Sequence, residues 1–254
     1  MDFVEGGKVA DAFPGEAERR AKLARRVSDA LTYDVLFSSK EEVLFHGDPH
    51  AGNVFHVENV VGDSYRIAFL DWGLAAEFSR ADRERMVQLM LGLYLKNPKR
   101  LRNHAEVLVR DGGEAGAESE EMEALVTRVL AEREGGMFEF LDELIAELSR
   151  EGRTIRFEKA MFIKAQLTIS WILNELDPDF EQDDYVMSRI SGQVFKELHT
   201  RFARTVWFSA WKSHAYRSMM SNEDVKDVQL KRIGGAFKAI GWGTWTAVSI
   251  QWLF

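Results

Sequence analysis

The spacing of apolar residues predicts a mostly helical chain with one short β-type region. In residues 15–37 apolar side chains recur every three or four positions, which is the period of an amphipathic helix. Residues 42–70 change to the short apolar runs "VLFHGDPHAGNVFHV" and "SYRIAFLD", on either side of the turn-rich "ENVVGD". This pattern predicts a small hairpin near residues 54–70, with polar motifs at its two ends.

Helix signals resume after the hairpin. Ser79 followed by Asp82 is a variant of the capping box, and Pro98 after Asn97 suits a first helical position. Ser119 is predicted to cap the next helix. Further helices are predicted up to Gly152, from there to Asp177-Pro178, and over residues 184–215. The predicted fold class is therefore mainly α, with a minor β component.

Composition narrows the chemistry. The chain has 254 residues, 46% of them hydrophobic, which is enough for a substantial core. It has no cysteine, so disulfides, thiolate catalysis and Cys-based metal sites are excluded. The opening "MDFVEGGKVADAF" has no apolar stretch typical of a signal peptide, so a cytoplasmic location is expected.

Charge separates the last 59 residues from the rest. Residues 196–254 carry nine basic and four acidic side chains, or +5, whereas the whole chain carries −8 and residues 1–195 therefore −13. The acidic body excludes nucleic acid as a general partner. The basic segment holds five tryptophans, a composition typical of segments that bind a membrane surface. A helical core segment with one solvated face can have the same composition. Residues 239–254 are uncharged but are shorter than the roughly 20 residues of a spanning helix. Peripheral contact with membrane lipid is expected rather than insertion.

The densest chemistry lies in "LFHGDPHAGNVF", residues 44–55. His46, Asp48 and His50 alternate, so on a strand they would share one face and could bind a divalent ion. Pro49 opposes this interpretation because it has no N–H for a strand ladder. The remaining histidines show no paired spacing that would complete such a site.

Phosphoryl transfer explains the same residues differently. It needs a carboxylate that positions the acceptor and oxygen ligands that hold magnesium against the phosphates. Asp48 and Asn53 are five residues apart, which is the kinase spacing of the positioning aspartate and a metal-ligating asparagine. "FLDWG" then supplies Asp71 as a second metal ligand. The predicted hairpin would bring all three side chains together.

With these motifs in view, the chain resembles the UbiB family of atypical kinases. "HGDPHAGN" and then "LDWGLAAEFSRADRERM" are similar to that family's H-A-D-P-H-P-G-N and D-F-G segments, with Ala51 and Trp72 as departures. The opening "MDFVEGG" resembles its hinge, which would place Phe3 and Val4 beside the adenine of ATP. The resemblance covers residues 1–110.

The resemblance implies ATP and Mg²⁺ as cofactors and links the chain to quinone or other isoprenoid-lipid metabolism. It implies Asp48 as the catalytic residue and Asn53 and Asp71 as metal ligands. His46, His50 and Gly73 would shape the loop around them. Aminoglycoside and choline phosphotransferases share H-G-D-x-H-x-G-N and are the competing resemblance, but the chain has "GLAAEFSRADRER" where they carry a G-x-P-x-x-D segment.

A kinase also needs an N-terminal lobe with a phosphate-binding lysine. The chain contains no K-x-G-Q segment of the UbiB type, and its first twelve residues are too few for that lobe. The expected organisation is a hinge-like segment (1–12), a kinase-like C-terminal lobe without an N-lobe (13–195) and the basic extension (196–254). A fragment or split gene completed by a partner chain, a misassigned start and a pseudokinase scaffold all remain open.

Overall fold

The computed structural model describes residues 5–57, 66–109, 117–132 and 135–192. Within these ranges the protein is mainly helical with two small antiparallel sheets, as the apolar spacing predicts. The strands are β1 (Gly6–Lys8), β2 (Glu42–His46), β3 (Val54–Val57), β4 (Arg66–Phe69) and β5 (Ala75–Ser79). The helices are α1 (Ala17–Ser28), α2 (Asp34–Leu36), α3 (Arg80–Tyr94), α4 (Pro98–Ala105), α5 (Ala117–Glu132), α6 (Met137–Arg150), α7 (Phe157–Leu176) and α8 (182–192).

One sheet has the strand order β1-β3-β4, and β3 pairs with β4 from Val54 opposite Phe69. These two strands are the predicted hairpin, although its connection lies outside the described residues. β1 was not predicted and adds to β3 from the opposite side. Gly6 is required in β1, because a Cβ at this position would lie 2.1 Å from the carbonyl oxygen of His56.

The second sheet pairs β2 with β5 and covers α7 with an aromatic cluster. The rings of Phe45 and Phe78 lie 5.3 Å apart, and each contacts Phe162 of α7 edge-on, at 5.5 and 5.1 Å. All three side chains are buried. Such edge-to-face aromatic contacts add roughly 0.5–1.5 kcal/mol each to the burial of the rings. They fix the end of β2, from which the polar motif continues.

A second apolar cluster joins α1, α7 and the first sheet. Leu23 and Val27 of α1 pack against Ile169 and Leu173 of α7, and Val54 of β3 is buried with them. Both sheets therefore rest on α7, one near its beginning and the other further along. The long apolar helix predicted from the sequence is the central element of the fold.

α3 begins at a built cap. The Ser79 Oγ accepts the Asp82 backbone N–H at 3.1 Å, as the capping signal predicted. The Asp82 carboxylate accepts a hydrogen bond from the buried Lys159 Nζ at 2.5 Å and pairs with Arg156 at 3.3 Å. Burial by itself would raise the pKa of the Asp82 carboxyl, but Lys159, with Ser79 and Arg156, lowers it below the ordinary value.

Several predicted helix boundaries differ from the structure. The helix predicted over 15–37 contains a π-helical segment, Asp29–Tyr33, between α1 and α2. The cap predicted at Ser119 is wrong, because α5 already begins at Ala117. The predicted 184–215 helix is described only as far as residue 192. No helix in the described part of the chain is long and apolar enough to cross a membrane, and the basic extension lies beyond that part.

Candidate active site

The loop after β2, residues 47–53 and called the motif loop below, is held between the two sheets. Its first residue, Gly47, donates its backbone N–H to the Leu74 carbonyl at 2.9 Å. Its last residue, Asn53, donates its backbone N–H to the His50 carbonyl at 2.8 Å, which closes a tight turn. Met161 of α7 fills the space beside Gly47, where a Cβ would lie 2.5 Å from its Sδ. The glycine thus lets the loop lie directly on α7.

His46 connects the two ends of the hairpin. Its Nδ1 accepts the backbone N–H of Asp48 at 3.2 Å, and its Nε2 lies 2.9 Å from the Leu70 carbonyl oxygen. An imidazole with its hydrogen on Nε2 satisfies both contacts, since Nδ1 then accepts while Nε2 donates. The ring is buried and packs 5.0 Å from the Trp72 ring. His46 therefore fixes the distance between the backbone of Asp48 and that of the residue before Asp71.

Asn53 links the same two segments through its backbone and its side chain. Its carbonyl accepts the Leu70 N–H at 2.9 Å, and its Nδ2 donates to the Asp48 carbonyl at 3.1 Å. The residue is 7% exposed. Because the amide nitrogen is used in holding the loop, the Oδ1 is oriented by it and remains available as a ligand.

Asp71 lies two residues after the end of β4, in an unusual backbone conformation. Its φ is +54°, in the left-handed region that aspartate tolerates better than most residues. Its Oδ1 accepts the Gly73 N–H at 3.2 Å, and the side chain is exposed. The neighbouring Trp72 donates its indole N–H to the Phe69 carbonyl at 3.1 Å. This bond closes a turn around Asp71. Phenylalanine at position 72 could not form the bond, because its side chain has no hydrogen-bond donor.

The structure thus places Asp48 and Asn53 in the loop before β3 and Asp71 shortly after β4, at the two ends of the predicted hairpin. His50 is more peripheral: its Nδ1 accepts the Gly52 N–H at 3.0 Å, and its Nε2 lies 3.9 Å from the exposed Asp48 carboxylate. The hinge residues Phe3 and Val4 lie outside the described residues. In the described ranges no three His, Cys, Asp or Glu side chains cluster as metal ligands, so the His-based metal site is not supported.

The donor set suits magnesium rather than a softer metal. Asn53 offers Oδ1, Asp71 offers Oδ2 and Asp48 offers an exposed carboxylate, and all are hard oxygen donors. Magnesium is usually held by one or two protein oxygens and completes its shell with water and phosphate. The side-chain oxygens of Asn53 and Asp71 would match that usual number of protein ligands.

Two supports of the site were not predicted from the sequence. Met161 lies 114 residues after Gly47, and nothing local in either segment indicates their contact. The bond of Trp72 to Phe69 is not predicted either, although a hydrogen-bond donor in place of the family's phenylalanine is a local signal for it.

Comparison with known proteins identifies the class. Residues 1–105, less than half of the chain, match the ABC1 atypical kinase-like domain of the UbiB family, and the match includes Asp48, Asn53 and Asp71. The predicted resemblance to UbiB is thereby confirmed. A mainly helical fold with small antiparallel sheets is consistent with a kinase-like fold.

A curated relative belongs to the same class. It is "Protein ACTIVITY OF BC1 COMPLEX KINASE 7, chloroplastic" of Arabidopsis thaliana, which is 26% identical over 103 residues. The match takes in 40% of this chain and 14% of the relative's own length. The likeness therefore concerns one segment of the relative and not the relative as a whole.

Proposed function

We propose that this chain provides the C-terminal-lobe part of a UbiB-type kinase site, which carries out Mg-ATP-dependent phosphotransfer or ATP hydrolysis. The observation that supports it best is the clasp between the motif loop and the end of β4. His46 and Asn53 each bond Leu70, which precedes Asp71 in the chain. Three oxygen-bearing side chains are thus held on one frame before any ligand binds, as electrostatic catalysis of phosphoryl transfer requires.

Each residue has a distinct role in this proposal. Asp48 orients the acceptor hydroxyl, or a water molecule, and takes its proton as the bond to the γ-phosphorus of ATP forms and the bond from that phosphorus to the β-phosphate oxygen breaks, with ADP as the leaving group. Asn53 and Asp71 would hold a magnesium ion, which in such sites neutralises phosphate charge. His46 acts as a positioning residue through the Asp48 N–H and the Leu70 carbonyl. His50 and Gly73 shape the turns around the carboxylates.

A kinase site also needs a lysine and a loop that bind the nucleotide phosphates. We propose that an N-lobe supplies them, either from the same protein or from a partner chain, and that Phe3 and Val4 contact the adenine. By resemblance to UbiB, the substrate class is a quinone precursor or another isoprenoid lipid. A pseudokinase scaffold is the outcome if the completed site fails to bind nucleotide.

The proposed function is tested by nucleotide binding and turnover with the N-lobe of an ABC1 protein supplied in trans. Magnesium-dependent ATP binding is expected with the N-lobe and should be weaker without it. Asn53→Ala should remove the magnesium dependence, and Asp48→Asn should lower turnover while nucleotide still binds. Full turnover of Asp48→Asn would overturn the role of that residue.

Peripheral membrane contact is a separate proposal that is based on the basic, tryptophan-rich composition of residues 196–254. Attraction to anionic lipid should weaken with salt, because it acts over about a Debye length. Flotation with anionic liposomes should recover the full chain and lose a chain ending at Gly234. Equal flotation of both chains would dismiss a role for the last twenty residues.

A further inference from the structure

A cleft of about 580 Å³ lies beside the motif loop, between that loop, α6 and α7. Its volume falls in the range of small-molecule sites. The residues of the cleft that carry polar or aromatic chemistry are Asp142, Lys164, Thr168, Trp171 and Glu175, and Ala51 closes it on the loop side. The roles proposed above for the motif residues use none of these side chains.

One face of α7 forms the wall of the cleft. Lys164, Thr168, Trp171 and Glu175 follow one another at intervals of three or four residues, so they share a side of the helix. The opposite side carries the buried core residues. Trp171 is 79% exposed, which is far more than an indole needs for a structural role. Its aromatic surface is presented to the cleft and not to the core.

The charged side chains of the cleft form no polar contacts of their own with the part of the chain that the structure describes. Among the described residues, no hydrogen bond or ion pair involves the carboxylates of Asp142 and Glu175, the Lys164 ammonium or the Trp171 indole N–H. The nearby Arg20 donates to the main-chain carbonyl of Glu175, at 2.7 Å, and leaves its carboxylate free. The two carboxylates, the ammonium and the indole N–H therefore remain available for a ligand, whereas the Thr168 hydroxyl donates to the Lys164 carbonyl at 3.2 Å.

The arrangement of these groups selects the ligand. Trp171 and Glu175 are four residues apart, so an indole face and a carboxylate are neighbours on the helix surface. An indole face with an adjacent carboxylate attracts an organic cation by cation–π and Coulomb interactions. Lys164 is seven residues from Trp171, or about 10 Å along the helix axis, and stands at the other end of the cleft. Among the side chains that line the cleft, two carboxylates outnumber one ammonium, so the lining favours a positively charged ligand.

We propose that this cleft is a binding site for a small organic cation, of the quaternary or alkylammonium class, seated on the Trp171 indole and beside Glu175. The site is independent of the phosphotransfer proposed above, since it needs neither Asp48 nor Asp71. Binding at the cleft can therefore be measured without nucleotide, and its failure would leave the kinase proposal untouched.

The test uses the full chain labelled with 5-fluorotryptophan and followed by ¹⁹F NMR. The Trp171 resonance is assigned by its loss in Trp171→Phe. Choline is the cationic probe, and 3,3-dimethyl-1-butanol, which has the same shape without the charge, is the neutral control. Choline should shift the Trp171 resonance saturably in the millimolar range, and the neutral alcohol should not.

Variants distinguish specific recognition of the cation from non-specific binding. Glu175→Gln should weaken choline binding roughly two- to fivefold, because a partly exposed cation site has energies of this order. Asp179→Asn is the matched control, an exposed acid outside the cleft, and should bind as the unaltered chain does. Trp171→Leu should abolish ligand-detected saturation transfer to choline while the thermal unfolding midpoint is retained.

Three results would overturn the inference. The first is the absence of any Trp171 shift with choline up to about 50 mM, because a site with millimolar affinity would be nearly saturated at that concentration. The second is an equal affinity for the neutral alcohol. The third is unchanged choline binding in the Glu175→Gln variant.

Discussion

Two aspartates eleven residues apart, Asp71 and Asp82, have opposite surroundings. Asp71 is exposed, has a φ of +54° and receives one hydrogen bond, from the Gly73 N–H of its own turn. The Asp82 side chain is only 15% exposed and is bound by Lys159 and Arg156 of the α7 region. Both follow a strand closely, and the sequence around them does not distinguish their roles.

The difference distinguishes a carboxylate that stabilises the fold from one that is available to a ligand. The Asp82 carboxylate already accepts hydrogen bonds from two cations, and the Asp82 backbone N–H is part of the α3 cap, so a ligand would have to displace a stabilising network. Asp71 retains a free oxygen at the end of a rigid frame. The comparison therefore predicts that one carboxylate contributes to stability and the other to chemistry.

The largest expected effect is on catalysis at Asp71. With the site completed by an N-lobe, Asp71→Asn should lower magnesium-dependent turnover on the order of a thousandfold, or about 4 kcal/mol, because the proposed charged metal ligand is lost. The free energy of unfolding should change by less than about 0.5 kcal/mol, since the residue is exposed. Asp179→Asn is the matched control and should alter neither quantity. A large loss of stability in Asp71→Asn would show that Asp71 is structural like Asp82.

The next effect is on stability at Asp82. Asp82→Ala leaves the Lys159 ammonium buried without its carboxylate, which should cost about 3 kcal/mol of unfolding free energy in urea denaturation. The double variant Asp82→Ala, Lys159→Met should recover much of that loss, because it removes the unpaired charge. If the single variant unfolds at the same urea concentration as the unaltered chain, the ion cluster is not stabilising.

A third aspartate sharpens the comparison through pH. Asp183 accepts the Met137 N–H at 2.6 Å but faces the carboxylates of Glu139, Asp184 and Glu181. Burial raises the pKa of Asp183 to about 6, and repulsion by the three neighbouring carboxylates contributes to the increase. A folded-state pKa above the unfolded value means stability that is complete below about 4 and lost as pH rises to about 6. Asp82, with its lowered pKa, acts in the opposite sense and loses its contribution as pH falls.

The difference is measurable with Asp183→Asn. Between pH 4 and pH 6 the unaltered chain should lose about 2 kcal/mol relative to this variant, a figure reduced for the solvent screening of a half-buried group. Urea unfolding of both proteins at several pH values provides the measurement. Parallel pH profiles would mean that Asp183 is solvated as an ordinary surface acid.

The smallest expected effect concerns Trp72. Trp72→Phe removes the indole bond to the Phe69 carbonyl and should cost about 1 kcal/mol of unfolding free energy. Because that bond closes the turn around Asp71, the affinity for magnesium in the completed site should weaken two- to fivefold, a consequence of about the same energy. Trp72→Leu tests the ring itself, since it also removes the contact with His46. Unchanged magnesium affinity in both variants would limit Trp72 to a packing role.

The sequence predicted those parts of the site that depend on local spacing. Asp48, Asn53 and the hairpin follow from turn chemistry and strand alternation within a short segment, and so does the Ser79 cap. β1 could not be predicted because its three residues become a strand only by pairing with β3, about fifty residues away. The contact of Met161 with Gly47 and the partners of Asp82 are also long-range, and periodicity carries no information on which helix faces meet.

The clasp around Leu70 has a consequence for hydrogen exchange. The backbone amides of Gly47 and Leu70 each form a hydrogen bond between the loop and the segment that follows β4: Gly47 donates to the Leu74 carbonyl, and Leu70 donates to the Asn53 carbonyl. Both amides can reach solvent only if the loop and that segment separate. Their exchange should therefore show a common opening free energy and a common response to urea, which marks the motif loop as a single cooperative unit and not as a mobile lid.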